Sequence, residues 1–379
     1  MSAVRRLQRW FGVVVDRWLE IRNRMLCSPA FQRWAEGSLW ARFIARSRAS
    51  ALFDLSAGFV YTQVLYAAAR LRLLETLQAA PRTVAELAPV LELSADATSR
   101  LLDAAASIGL VQRRGDHYWL GIHGCSYVGN PAIAKLVEHN AIFYRDLVDP
   151  VALLRGEVHD AEVNRFWTYA QPGEPRASAR GAAAYSALMA ASIPLLVEDI
   201  LESYGVGSHR RLLDVGGGEG AFLEAAAAHA PELELMLFDL PAVVPRASER
   251  LARAGLSSRV QIVPGDWRRD RLPGGADLVS LVRVLHDHDD EQALDLLRAV
   301  RQVIQPGGVL LVAEPMRCTA GAERIGDAYF GLYLLAMGQG RMRSPAELGA
   351  LLARAGFDAG RVWSTRRPMI SRLISARAV

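Results

Sequence analysis

The chain has 379 residues, 51% of them hydrophobic, with a formal net charge of +4; that is enough for two domains with sizeable cores and excludes a disordered or fibrous chain. Residues 1–50 hold ten arginines against Asp16, Glu20 and Glu36, a local +7, so the remainder carries −3 and basicity belongs to the N-terminus alone. Cys27, Cys125 and Cys318 lie too far apart for a disulfide framework or a paired zinc site, which fits a reducing, cytoplasmic compartment, and no apolar run reaches the roughly 18 residues needed to span a bilayer.

In the first 50 residues Leu7, Trp10, Val14, Trp18, Ile21 and Met25 recur at steps of three or four with arginines between them, which predicts an amphipathic helix. Asp16 and Arg17 interrupt its short apolar stretch and argue against a secretory signal. Trp10, Trp18, Trp34 and Trp40 all fall in this basic extension, a combination used by helices lying in a membrane interface. The same stripe would equally pack on the protein body or on a partner subunit. From 51 to about 125 the pattern is short helices, then a helix beginning near Ser94 and a small hairpin turning at Arg114 and Gly115. This is the outline of a winged helix. A DNA-binding regulator is one reading of it, yet the would-be recognition helix, 94–108, sets Arg100 against Asp96 and Asp103, and a duplex needs a positive face. A dimer interface is the other.

Helical patterning continues to 205 around the polar break YAQPGEPRASARG, 169–181. The rhythm then changes. RLLDV, LELMLFD, RVQIVPGD, ADLVSLVRVL and GGVLLVAE are short apolar strands separated by helical segments, the pattern of an α/β, doubly wound parallel sheet. The expected organisation is a basic extension over 1–50, a helical winged-helix domain over 51–180 and a Rossmann-like domain over 181–379.

Strand LLDV runs into GGGEG, 216–220, and then a helix, so backbone amides can approach a ligand closely there. The order differs from the GxGxxG of dinucleotide folds. Asp239 ends the next strand, 25 positions after Asp214, where a carboxylate accepts from both ribose hydroxyls. GDW closes the third strand: Asp266 can accept from an adenine amino group and Trp267 can stack on or shield the ring. Placed together at strand ends, Asp214, Gly216, Gly218, Asp239, Leu240, Asp266 and Trp267 predict a nucleoside-bearing ligand. The glycine loop has no lysine or hydroxyl to hold a triphosphate, which disfavours ATP.

LLDVGGGEG, LFDLP, GDW, LHDHDDEQ and LLVAEPM resemble the successive motifs of class I S-adenosylmethionine-dependent methyltransferases, in particular the two-domain O-methyltransferases of the plant caffeic acid and bacterial polyketide type. The resemblance covers about residues 50 to 375. FYRDLVDPVALLRGE, RFWTYA, YSALMAAS and GDAYFGLYLLAMGQGRMRS are most similar to the carotenoid O-methyltransferases of purple photosynthetic bacteria. The resemblance implies S-adenosylmethionine as methyl donor, a homodimer and methylation of the tertiary 1-hydroxyl of an acyclic carotenoid in the spheroidene and spirilloxanthin routes. A methyltransferase of bacteriochlorophyll synthesis shares the fold, and a ligand-sensing winged-helix regulator is the reading from another class.

The cluster LHDHDDEQ remains. By resemblance His286 is the general base and Glu314, ending LLVAE, orients it. Chemistry agrees on the need, since a base must take the acceptor's proton as the methyl bond forms. His286 and His288 would share one face of an extended segment, which is the metal reading, while Asp287, Asp289 and Asp290 look like caps of the next helix. No metal is expected. Plant relatives carry a second glutamate where this chain has Met342. Tyr185 and Met189 match family positions that press on the acceptor, and Phe330, Tyr333 and Met337 lie at helical spacing in a stretch, 328–340, free of charge. Such a stripe is either core or the wall of a hydrocarbon site.

Overall fold

The computed structural model describes residues 3–168 and 192–379, with side chains from Trp10 onward. Two compact units, Met1–Val128 and Gly129–Val379, are described separately.

The first unit opens with helices Ala3–Leu26, Pro29–Gly37 and Arg42–Arg70. Ser28 caps the second, its side chain accepting from the Phe31 amide. Trp10, Trp18, Trp34 and Trp40 are exposed, Trp40 by 91%, so this aromatic stripe is not core in the chain alone. Helices Leu73–Ala79, Val84–Leu91 and Ala95–Ser107 follow. Thr83 and Glu86 form a reciprocal capping box on the middle helix, and Ser94 caps the third. Strands β1 (Arg82–Thr83), β2 (Val111–Arg114) and β3 (His117–Leu120) form an antiparallel sheet in the order β1-β3-β2. Leu73, Leu74, Leu87, Leu102 and Tyr118 are fully buried among them. This is a winged helix, and Arg100 on its third helix is paired with Asp96 at 2.8 Å, which leaves no basic recognition face there.

The second unit is built on a seven-stranded sheet: β4 (Arg211–Val215), β5 (Glu234–Asp239), β6 (Val260–Pro264), β7 (Leu278–Val282), β8 (Val309–Glu314), β9 (Arg361–Trp363) and β10 (Arg372–Arg377), in the order β6-β5-β4-β7-β8-β10-β9. The first five neighbours run parallel; β10 pairs antiparallel with β8 and with β9. The central strands are mainly apolar and buried because both faces of the sheet are covered. Alternation sorts the side chains: Leu213, Val215, Val279, Leu281, Leu310 and Val312 join one core, whereas Leu212, Leu278, Val309 and Leu311 join the other. Helices Asp290–Val303 and Pro345–Arg354 fill the first core, and 192–203, Ala221–His229 and Val244–Arg253 fill the second. Strand order reverses between β4 and β7, so a crevice opens at their carboxyl ends.

A third apolar cluster joins helices Pro131–Asp146, Pro150–Leu154 and Glu162–Thr168 to helix Phe330–Met337, which continues directly from a π-helical turn, Arg324–Tyr329. Arg343, 1% exposed, braces the loop after β7: Nε reaches Asp290 at 2.8 Å, while Nη1 and Nη2 donate to the carbonyls of Leu285 and His288 at 2.9 and 2.8 Å. Arg343→Leu removes three charge-assisted bonds from a buried position, so chemical denaturation of that variant should show a loss of roughly 3 kcal/mol. A loss within error of zero would show that the brace is idle.

Candidate active site

Asp214, next to last in β4, faces Ser280 of β7 in register. Asp214 Oδ1 accepts from the Ser280 hydroxyl at 2.6 Å, and Oδ2 has no hydrogen-bond partner among the described residues. Burial pushes its carboxyl up to about 7, against the Ser280 bond that lowers it. The glycine loop passes directly over this carboxylate: a Cβ at Gly217 would stand 2.5 Å from Oδ2. Gly216 donates its amide to the carbonyl of Phe238 at 2.8 Å, tying the loop to β5. Gly218, at φ +57°, donates to Asp239 Oδ2 at 2.7 Å, and Leu240 donates to Oδ1 at 2.6 Å. Burial raises Asp239 and these two amides pull it back. Each of its oxygens keeps a lone pair for a ribose hydroxyl.

After β6, Asp266 Oδ1 accepts from the backbone and Nε of Arg268 at 3.1 and 3.0 Å. Burial pushes that carboxyl up, but Arg268 outweighs it and holds Asp266 below the usual carboxylate range. Trp267 is half-buried against the first core and meets His288 edge-on, centroids 5.3 Å apart. Loops after β4, β5 and β6 thus line one crevice with three acids, amides and an indole.

After β7 the backbone turns through Arg283, at φ +58°, into a 3-10 turn, Leu285–Asp287. His286 is buried. Its amide donates to Glu314 Oε2 at 3.0 Å, its Nδ1 lies 3.3 Å from the same oxygen and its Nε2 lies 3.2 Å from Asp287 Oδ1. Burial disfavours the imidazolium, but Asp287 and Glu314 outweigh it and hold His286 above its ordinary 6.5. Burial also raises Asp287. Sequence reasoning treated Asp287 as a helix cap. Asp289 is the cap, accepting from the Gln292 amide at 2.8 Å, and Asp290 pairs with Arg341 and Arg343. Asp287 instead faces the imidazole. Met342 lies buried in the apolar cluster with Tyr333 and Met337. Gly340, at φ +92°, lies against the His286 carbonyl, where a Cβ would come within 2.5 Å.

Tyr333 and Met337 are buried in the third cluster, and Phe330 packs on it at partial exposure, ring-to-edge with Tyr329 at 5.3 Å. Tyr185 and Met189 lie outside the described residues. Sequence reasoning missed His139 and Trp167, whose ring nitrogens both meet the Tyr333 hydroxyl, at 2.5 and 2.7 Å. Separations of 194 and 166 residues leave no local pattern to find them by.

Comparison with known proteins agrees with this geometry. Residues 144–358 match the O-methyltransferase domain family and 53–131 the O-methyltransferase dimerisation domain. The chain is 41% identical over 354 residues to demethylspheroidene O-methyltransferase of Cereibacter sphaeroides, covering 93% of each, and 38% identical over 333 residues to the protein of that name from Rhodobacter capsulatus, covering 88% of this chain and 83% of that one. An S-adenosylmethionine-dependent methyltransferase solved in its apo form superposes with a TM-score of 0.74 at 25% identity, covering 86% of this chain and 98% of the other.

A buried carboxyl that titrates near 7 in the folded chain and near 3.8 when unfolded adds stability below 3.8 that is lost as pH rises through 7. Asp214→Asn removes that loss. The melting temperature of the ligand-free variant should therefore gain on wild type between pH 5 and pH 8, and a constant difference would contradict the assignment.

Proposed function

Because the chain belongs to the O-methyltransferase family, we propose that it methylates the hydroxyl of an acyclic carotenoid, the tertiary 1-hydroxyl, with S-adenosylmethionine as donor. Similarity along nearly the whole length to two demethylspheroidene O-methyltransferases supports the substrate class. One observation carries the chemistry: a buried imidazole held between two carboxylates beside the glycine-lined crevice.

The crevice fits the donor. The unpartnered Asp214 Oδ2 and the close-packed loop over it suit an ammonium and a ribose, and several buried acids suit a cation. Asp214, Gly216 and Gly218 would hold the amino-acid end, Asp239 and Leu240 the ribose, and Asp266 and Trp267 the adenine. When bound, S-adenosylmethionine supplies a sulfonium-activated methyl group. Glu314 keeps Nδ1 of His286, so Nε2 is the nitrogen that faces the acceptor. Asp287, 30% exposed where Glu314 is 1%, is the partner that gives way to it. A tertiary alcohol is much less acidic than an imidazolium, so His286 aligns the hydroxyl first and takes its proton as the new bond forms. Glu314, still on Nδ1, then stabilises the imidazolium.

The dimerisation match supports a homodimer. No helix among the described residues is long and apolar enough to cross a membrane. The extension carries exposed Trp10, Trp18, Trp34 and Trp40 among arginines, with the Arg22 guanidinium 5.2 Å from the Trp18 ring. Such a surface would rest at a bilayer interface, where a carotenoid dissolves.

Two measurements test this reading. His286→Gln should lower kcat by roughly 10²–10⁴, and because the neutral ring is the working form, kcat/KM of wild type should climb with pH through one ionisation above 6.5. A profile flat from pH 6 to 9 would remove His286 as base. Deleting residues 1–48 should release the protein from liposomes in flotation while calorimetry still detects S-adenosylhomocysteine; unchanged flotation would dismiss the membrane role.

A further inference from the structure

The aromatic cluster holds a polar group whose hydrogen bonds can be counted. Tyr333 is 5% exposed. Its hydroxyl lies 2.7 Å from Trp167 Nε1 and 2.5 Å from His139 Nε2. A phenol offers one proton and two lone pairs, and an indole N–H can only donate, so Trp167 occupies one lone pair. The His139 ring is neutral, because burial pushes it down to about 4. With its proton on Nε2, His139 fills the second lone pair and the phenolic proton has no partner among the described residues; with its proton on Nδ1, the phenol donates to Nε2 and one lone pair stays free among them. In both cases one site of the Tyr333 hydroxyl remains.

Its surroundings give that site a purpose. Tyr329, stacked on Tyr333 at 5.8 Å, donates its own hydroxyl to Asn140 Oδ1 at 2.7 Å, and Phe143, Leu334, Met337 and Met342 complete an apolar wall. Tyr333 feels the charges of Asp287 and Arg283, which flank His286. The chain is continuous between the two: the Arg341 amide donates to the His286 carbonyl at 2.8 Å, and the next residue, Met342, packs in the cluster of Tyr333.

We propose that the Tyr333 hydroxyl donates to the acceptor's oxygen beside His286, and that His139, donating from Nε2, is the positioning residue that turns the phenolic proton outward. The inference rests on the methyl-transfer reading. The atoms balance: the acceptor hydroxyl gives its proton to His286, one lone pair of its oxygen accepts a hydrogen bond from Tyr333, which keeps its proton, and the other attacks the methyl carbon as the carbon–sulfur bond breaks, leaving S-adenosylhomocysteine. Tyr333 then selects the hydroxylated end of a hydrocarbon chain, because without a hydroxyl there its buried proton goes unpaired.

The test uses the full-length enzyme with a hydroxylated acyclic polyene as acceptor and the same polyene lacking the hydroxyl as competitive inhibitor. The readout is the ratio of inhibitor Ki to acceptor KM. Tyr333→Phe should lower this ratio roughly tenfold, His139→Leu should lower it in the same direction, and His139→Gln, which can still donate an N–H, should restore it. Titration of S-adenosylhomocysteine should be the same in all four proteins. A Tyr333→Phe protein with the wild-type ratio overturns the inference alone, as does a ratio that His139→Gln fails to restore. Wild type that releases no heat with S-adenosylhomocysteine overturns the methyl-transfer reading with it.

Discussion

An ionisable ring with almost no access to water exists here because a carboxylate faces each of its nitrogens. Most of the second unit can be read as the means of holding that arrangement. Glu314 stands at the end of β8, beside β7, whose Val282 pairs with Ala313, so two adjacent parallel strands deliver acid and imidazole to the same edge. The left-handed turn at Arg283 is fixed by its amide donating to the Ala313 carbonyl at 2.8 Å, and it points the next residues back over β8. Arg343 then ties the carbonyls on either side of His286 to helix Asp290–Val303. A ring held this way loses little orientation when it gains or loses a proton.

The neighbouring crevice obeys the opposite electrostatic logic. Burial disfavours ionisation of both Asp214 and Asp239, and the charge of Asp239 further disfavours that of Asp214. Free, the chain tolerates this by sharing the load among Ser280, Gly218 and Leu240. A ligand bearing an ammonium and a sulfonium relieves it, so binding energy is stored as unsatisfied negative charge before any ligand arrives.

The five parallel strands were legible because each is a short, mainly apolar run set between helical segments. Asp214, Asp239 and Asp266 fall where the sequence placed them. Less was legible wherever distance in the chain matters. Strands β9 and β10 run antiparallel and carry charged residues at their ends, outside the rhythm of the parallel strands. Asp287 reads as one of several aspartates before a helix until the 3-10 turn is seen to set it against the imidazole. His139 and Trp167 are ordinary members of helices, and only packing against Phe330–Met337 gives them a shared partner. The π-helical turn at Arg324–Tyr329 has no signature in composition.

That turn fits one more residue into its coil than an ordinary helix does. Everything after it is advanced by about 100° of rotation. The meeting of Tyr333 with His139 and Trp167 on other helices depends on this phase. Loss of a single residue between Arg324 and Tyr329 would swing the entire stripe of Phe330, Tyr333 and Met337 off the shared cluster without altering one of its side chains. In such a fold, insertion or deletion of one codon at this joint displaces more of the packed aromatic cluster than most single substitutions do.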